Sequence, residues 1–228
     1  SSFGFLLSIE HLHVIYDVIS SFKIRLSEIN ILGTSYGGYI ALLMGKFAPH
    51  TFNFIIDNSG FVATQFSEIH PALVSNSLSF MRIINGKRYE IPVLTKTIWE
   101  NNEFSKNYFS DAHKMIRNVT IKQHMIQNDT KYFCYHSQND IVVPIAEKEL
   151  FCEQMKKFAF VDFTKVLEKD IDGSLFKNLN HGMNASLRKL YDVTYEKNKQ
   201  VFKPHKSETD FHLCSQYVFD CYSKRYVF

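Results

Sequence analysis

One stretch, residues 29–44, constrains the fold of this chain more than any other. It reads INILGTSYGGYIALLM, a short apolar run, a serine flanked by glycines, and then a helical apolar pattern. Its centre, from Gly33 to Gly37, fits the pattern G-x-S-x-G, which places Ser35 on a sharp turn between a strand and a helix. Such a turn strains the serine backbone, and strand and helix approach closely. We therefore expect a side chain at Gly33 or Gly37 to collide with its surroundings.

This pattern is weak by itself, because a chain of this length matches it by chance about once in thirteen. The alternative is a serine in a glycine-rich turn of some other α/β fold. The neighbouring patterns favour strands and helices in alternation: a helical period over 9–22, apolar strand-like runs at 52–60, 131–136 and 160–167, and helical patterns at 145–158 and 185–197. Alternation at this spacing predicts βαβ units and an α/β fold with a mostly parallel sheet flanked by helices.

The region between the second and third predicted strands breaks this rhythm. About seventy residues are too many for a plain connection, and helical patterns are plausible at Pro71 to Ile84 and Asp111 to Ile126. We interpret 61–130 as a mostly helical lid, inserted into a core formed by 1–60 and 131–204; an ordinary helical subdomain covering one sheet face is the alternative. The tail, 205–228, predicts a β-hairpin with strands within Phe211 to Phe219 and Tyr222 to Phe228.

Composition limits the class of partner and the cellular setting. The chain has 26 Lys and Arg against 23 Asp and Glu, and their scattered distribution gives no reason to expect binding to nucleic acid. The apolar opening from Phe3 to Ile9 is too short for a membrane span. The four cysteines are widely spaced, which favours reduced thiols and a cytoplasmic setting. The chain does not begin with methionine, so a preceding signal peptide stays open.

Two later positions turn the serine motif into a stronger pattern. Asp140 follows a predicted strand in the setting D-x-x-V-P, and His181 sits in an Asn-His-Gly turn before a helix. Ser35, Asp140 and His181 follow one another at intervals of 105 and 41 residues. In this order and setting the chain resembles the α/β-hydrolase superfamily, whose serine, acid and histidine stand at the carboxyl ends of sheet strands. The Asn-, Lys-, Phe- and Ile-rich composition suggests a bacterial branch.

The resemblance implies a role for each residue. Ser35 is the nucleophile, His181 takes its proton, and Asp140 orients the imidazole and stabilises the imidazolium. The backbone N–H of Tyr36 is one donor of the oxyanion hole. The substrate is then a small molecule or acyl compound, an ester, thioester or amide cleaved through an acyl-enzyme. No cofactor is expected, and the histidines show no metal-binding spacing. An acyltransferase would use the same triad.

Alternatives to the acid and the base remain open. Asp140 has the position of a turn or N-cap aspartate, and Asp57, at the end of the preceding strand, is the best substitute acid. His136 lies near Asp140 in sequence and is a candidate for supporting it. The remaining rivals are two acidic residues and two histidines: Asp170, Asp172, His205 and His212.

The resemblance covers about Ile9 to Tyr195 and lacks the strands with which the family begins. No His-Gly pair, a frequent setting for the second oxyanion donor, precedes Ser35. The source of that donor is therefore open, and a non-catalytic binding or accessory protein is the rival function. A sheet beginning at the apolar run 29–32 would have an open side, and we expect association through it.

Overall fold

The computed structural model describes residues 4–22, 28–63, 79–84, 86–92, 100, 102–122, 125–201, 218–221 and 224–227. The chain divides into two compact units, Ser1 with Thr64–Lys114, and Ser2–Ala63 with Met115–Phe228. The helices and strands are, in chain order, α1 (Phe5–Phe22), β1 (Asn30–Thr34), α2 (Tyr36–Phe47), β2 (Phe54–Asn58), β3 (Ser79–Ile84), β4 (Lys87–Pro92), α3 (Asp111–Arg117), β5 (Lys131–Ser137), α4 (Ile145–Met155), β6 (Val161–Val166), α5 (Leu187–Asn198), β7 (Val218–Cys221) and β8 (Lys224–Val227).

The larger unit is built on a four-stranded parallel sheet in the order β1-β2-β5-β6. The predicted α/β class, with a mostly parallel sheet and flanking helices, is confirmed. Among the described residues β1 pairs with β2 alone, so it forms one edge of this sheet. The association that we predict through that edge stays a prediction.

Apolar residues alternate between the two faces of β2, all five of whose residues are buried. Ile55 belongs to the core formed with α1, α2 and α4, where the rings of Phe5 and Phe47 meet edge to face at 5.7 Å. Phe54 and Ile56 belong to the opposite core, which includes side chains of α5. A strand buried on both faces in this way is typical of parallel sheets covered by helices.

The smaller unit differs from the sequence prediction. Residues 79–92 form an antiparallel hairpin of β3 and β4, with Gly86 at φ 74° in its turn. The helix predicted over Pro71 to Ile84 is therefore wrong at 79–84, and 71–78 lie outside the described residues. The physical reason is the Asn-Gly pair at 85–86, because glycine accepts the positive φ that a two-residue hairpin turn needs.

Two further sequence predictions, one for the helix from Asp111 and one for the C-terminal hairpin, agree with the structure only over part of their length. The helix predicted from Asp111 ends at Arg117, nine residues earlier than expected. Near the C-terminus β7 and β8 pair as antiparallel strands, while 211–217 lie outside the described residues. The interpretation of 61–130 as a lid stays a prediction.

In the part of the chain that the structure describes, no helix combines the length and hydropathy needed to cross a bilayer.

A buried ion pair joins the central strand to a helix. Lys148 of α4 donates to Oδ2 of Asp57 in β2, and neither side chain is exposed to solvent. The other oxygen, Oδ1, accepts the backbone N–H of Gly60 at 2.9 Å. A Cβ atom at Gly38 would collide with this carboxylate and with the Gly60 backbone. The pair therefore sits under the start of α2, in a position where neither charge reaches water.

We expect Lys148→Met to lower the free energy of unfolding by about 3–5 kcal/mol, because it leaves the Asp57 carboxylate buried without its cation. Lys165→Met is the matched control, since Lys165 pairs with Glu149 at 3.1 Å on the surface, where both side chains are more than 40% exposed. The control should cost less than about 1 kcal/mol. Urea denaturation measures both values, and equal small losses would show that the buried pair is not needed for stability.

Candidate active site

Ser35 stands on a strained turn between β1 and α2. Its backbone has φ 54° and ψ −122°, a region that non-glycine residues rarely occupy. The Ser35 N–H donates to the carbonyl of Asn58 at 2.8 Å, which continues the pairing of β1 with β2 by one residue. The chain enters α2 at Tyr36. The side chain of Ser35 is thereby lifted off the carboxyl edge of the sheet, as the motif predicts.

The two glycines that flank Ser35 in the motif differ in how much space surrounds them. A Cβ atom at Gly33 would collide with the carbonyl group of Gly37, which explains the first glycine of the motif. At Gly37 an added Cβ atom would meet no described heavy atom within 4 Å. The expected collision at Gly37 is therefore wrong, and the crowded second position is Gly38, beneath which Asp57 and Gly60 lie.

His181 begins a short 3₁₀ turn, His181–Asn184, between β6 and α5. The backbone φ angles of the next three residues, Gly182, Met183 and Asn184, are 71°, 55° and 43°. Met183 is fully buried in the core beside α5, which anchors the turn from below. Above it the imidazole is partly exposed, and its Nε2 lies 2.6 Å from Ser35 Oγ.

Asp140 lies in the turn after β5, and its carboxylate is fully buried. Oδ1 accepts the backbone N–H groups of Val142 and Val143, at 2.9 and 3.0 Å. Oδ2 lies 2.8 Å from Nδ1 of His181. The D-x-x-V-P spacing has a physical basis here, because the two residues after Ile141 turn their N–H groups back onto the carboxylate before Pro144 precedes α4.

These contacts fix where the protons lie. A carboxylate can only accept, so Nδ1 of His181 carries the proton that it donates to Asp140. Nε2 of a neutral imidazole is then without a proton and accepts the O–H of Ser35. The three side chains form one continuous hydrogen-bond chain, with its acid end buried and its serine end next to the start of a helix.

Tyr36 occupies the first position of α2. The N–H groups of the first helical turn have no partner within a helix, and the helix dipole favours negative charge beside them. The backbone N–H of Tyr36 belongs to this first turn and directly follows Ser35 in the chain. Its part in an oxyanion hole stays a prediction.

His136, at the end of β5, is fully buried behind Asp140. Its Nε2 donates to the carbonyl of Val143 at 2.9 Å and lies 3.4 Å from Asp140 Oδ2, while Nδ1 has no hydrogen-bond partner among the described residues. Burial lowers the pKa of His136 below the usual value of a histidine, and the nearby Lys148 acts in the same direction, against Asp57 and Asp140. The imidazole is therefore neutral at neutral pH and holds Val143 next to the acid.

The alternative acids have other partners. Asp57 pairs with Lys148 and does not reach His181. Asp170 Oδ2 accepts the backbone N–H of Leu167 at 2.9 Å, and Asp172 Oδ1 accepts N–H groups of the three residues 174–176. These two carboxylates stabilise local turns. The rival histidines, His205 and His212, lie outside the described residues.

Two residues at the site were not singled out in the sequence analysis. Asn58 ends β2 and donates hydrogen bonds to the neighbours of both Ser35 and His181. Lys148 pairs with Asp57 from a helix 91 residues away in sequence. For Asn58 a usable signal exists, because the carboxyl ends of adjacent parallel strands are where sites form in α/β folds. For Lys148, no local sequence pattern predicts that it pairs with Asp57.

Comparison with solved structures identifies the class of fold. Acylaminoacyl peptidase from Pyrococcus horikoshii superimposes with a TM-score of 0.51 at 14% identity, over 89% of this chain and 28% of the peptidase. An esterase from Pyrococcus furiosus matches at 13% identity and TM-score 0.42, over 85% of this chain and 59% of the esterase. An alpha/beta hydrolase from a Moroccan lagoon sediment metagenome matches at 13% identity and TM-score 0.41, over 82% and 68%. The first likeness shows the fold alone, and that fold is the one found in α/β hydrolases.

The chain belongs to the family described as "Protein of unknown function (DUF2920)", whose model matches residues 1–224. A comparison with curated proteins finds no match. The chain spans 28% of the length of the peptidase and 59% of that of the Pyrococcus furiosus esterase.

The lowered pKa of His136 predicts a loss of stability in acid. The unfolded chain binds a proton at this residue near pH 6.5, whereas the folded chain resists it, so stability falls as the pH drops below about 6.5 and levels off below the folded pKa. The largest slope from one such group is about 1.4 kcal/mol per pH unit. His136→Gln keeps an N–H donor but cannot titrate, and it should flatten this slope. Urea denaturation between pH 7.5 and 5 measures it, and equal slopes in both proteins would contradict the assignment.

Proposed function

We propose that the chain is a serine hydrolase that cleaves an ester, thioester or amide through an acyl-enzyme on Ser35. The observation that carries the proposal is the continuous hydrogen-bond chain from Ser35 Oγ through His181 to the buried Asp140 carboxylate. A serine hydroxyl is a weak nucleophile until a base removes its proton as it attacks. His181 is within reach as that base, and Asp140 holds it in the required tautomer.

In the acylation step, Ser35 Oγ bonds to the substrate carbonyl carbon as its proton passes to His181 Nε2. The carbonyl oxygen becomes an oxyanion, which the N–H of Tyr36 is placed to stabilise, and one such donor is typically worth about 10² to 10³ in rate. The bond from carbon to the leaving O, S or N then breaks, and the leaving group takes the proton from His181.

Water completes the cycle. It attacks the acyl-enzyme while His181 Nε2 accepts its proton, and collapse of the second tetrahedral intermediate releases the carboxylic acid and returns the proton to Ser35. Two backbone N–H groups and the imidazolium donate to the Asp140 carboxylate and compensate its charge. The proton that Ser35 and His181 exchange thus moves between two atoms that already lie 2.6 Å apart.

Apolar side chains around the site support a substrate with an apolar portion. The Phe61 ring lies 6.4 Å from the His181 ring, centroid to centroid. Next to Asp140, the side chains of Ile141 and Val142 are 95% and 51% exposed. Such exposed apolar groups beside a polar chain favour contact with the acyl or leaving group of a substrate.

The test is turnover of p-nitrophenyl acetate and butyrate. Ser35→Ala should lower kcat by about 10⁴ to 10⁶, the scale for loss of a triad nucleophile, and Asp140→Asn should lower it by about 10⁴ through loss of the tautomer. Ser59→Ala is the matched control, because Ser59 directly follows the neighbouring strand β2 with a similar φ of 56°, but its Oγ has no hydrogen-bond partner among the described residues. Turnover that survives Ser35→Ala, or falls equally in Ser59→Ala, would contradict the serine mechanism.

A further inference from the structure

Asn58 lies between the two loops that carry Ser35 and His181. It is fully buried at the end of β2, and its backbone carbonyl accepts the N–H of Ser35 at 2.8 Å. Its side-chain Nδ2 donates to Thr34 Oγ1 at 3.0 Å and to the carbonyl of Gly182 at 3.1 Å. One amide nitrogen therefore contacts the residue before the serine and the residue after the histidine.

The turn that carries His181 needs such a support. Three successive residues, 182–184, have positive φ angles, and backbone of this kind persists only where its surroundings hold it. The turn is closed from within by a hydrogen bond from Met183 N–H to Asn180 O at 2.7 Å. The His181 ring bonds to Ser35. Among the described residues, the other hydrogen bond that connects this turn to β1 and β2 is the one that Asn58 donates to the Gly182 carbonyl.

Stability does not by itself account for an amide at this position. The Oδ1 atom of Asn58 is buried and has no hydrogen-bond partner among the described residues. A buried polar atom without a partner opposes folding, and an apolar side chain of similar size would remove that cost. The amide nitrogen, in contrast, uses its two protons on the two loops of the site.

We infer that Asn58 is a positioning residue that sets the distance between His181 Nε2 and Ser35 Oγ by clamping Gly182 to Thr34. The effect of Asn58 on turnover rests on the proposed function, whereas its effect on the position of His181 does not. Loss of the clamp frees the 181–184 turn to move by a fraction of the hydrogen-bond length, and a misplacement of about 1 Å costs on the order of 10² in rate.

The experiment compares Asn58→Leu with Asn53→Leu. Asn53 is the matched control, because it is a buried asparagine that directly precedes β2, next to the end of the strand that lies away from the site, and its Nδ2 has no partner among the described residues. With p-nitrophenyl acetate, Asn58→Leu should lower kcat by about 10²-fold with KM nearly unchanged. Asn53→Leu should leave kcat within about twofold of the wild-type value, which is a smaller change than the loss of one hydrogen bond produces.

A second readout needs no turnover. The Nδ1 proton of His181, held by Asp140, gives a low-field proton NMR resonance that His181→Gln removes and thereby assigns. The resonance should persist in Asn53→Leu and be lost or displaced in Asn58→Leu. Thr34→Val, which removes one acceptor of the clamp without touching the core, covers the case in which Asn58→Leu fails to fold. It should lower kcat by about 2- to 10-fold, the worth of one hydrogen bond, and displace the same resonance.

The outcomes separate this inference from the proposed function. Folded Asn58→Leu protein with wild-type kcat and an unchanged resonance would overturn the inference, as would equal losses of kcat in the Asn58 and Asn53 variants. If the wild type shows the resonance but no turnover, the proposed function fails and the resonance alone decides the role of Asn58. A wild type with neither turnover nor resonance contradicts both.

Discussion

The parallel pairing of β1, β2 and β5 is the constraint on which the site depends. Thr34 pairs with Asn58, and Asn58 pairs with Tyr135, so β1 and β2 end side by side and β5 continues for two more residues, to Ser137. Ser35 directly follows the end of β1, and Asp140 lies three residues beyond the end of β5. Neighbouring parallel strands run in the same direction, and their carboxyl ends therefore place polar loops side by side. A sheet with one of these strands reversed would separate the serine from its acid.

Backbone strain is concentrated at this same edge. The described non-glycine residues with positive φ are Ser35, Ser59, Met183 and Asn184, and each belongs to a turn at the carboxyl ends of the strands. Each such residue costs of order 1–3 kcal/mol and persists where the surrounding structure determines it. The buried Lys148–Asp57 pair, the Asn58 amide and the buried Met183 side chain supply that support from below. The rigidity of the candidate site thus comes from the layer of residues beneath it.

The local patterns predicted well what depends on local chemistry. The Gly-x-Ser-x-Gly motif gave the strained turn at Ser35, and the D-x-x-V-P spacing gave a carboxylate held by the N–H groups that follow it. The order of serine, aspartate and histidine led us to expect one site, and each of the three side chains lies within hydrogen-bond distance of the next; their roles stay a prediction. The Asn-Gly pair at 85–86 was an available signal for the β3-β4 hairpin, and a helical interpretation of 71–84 overlooked it.

Contacts across long sequence separations were beyond the reach of local patterns. The expected crowding at Gly37 was wrong because the close approach is made at Gly38, over Asp57 in the next strand and over Gly60, which follows that strand. Lys148 reads as one polar residue of an ordinary helix until the fold brings it to Asp57. Likewise Asn58 gains its two acceptors from residues 24 and 124 positions away. Such pairs follow from the tertiary structure and are not encoded in any short stretch.

Covalent labelling of the chain with a fluorophosphonate, followed by peptide mass spectrometry, tests most directly whether the hydrogen-bond chain activates a serine. The serine oxygen bonds to the phosphorus atom, fluoride leaves, and a base accepts the serine proton, so the reaction requires an activated hydroxyl. One phosphonyl adduct is expected, on the peptide that contains Ser35, with labelling that fails in His181→Gln. An unlabelled protein, or an adduct on another serine such as Ser59, would contradict the assignment of Ser35 as a nucleophile.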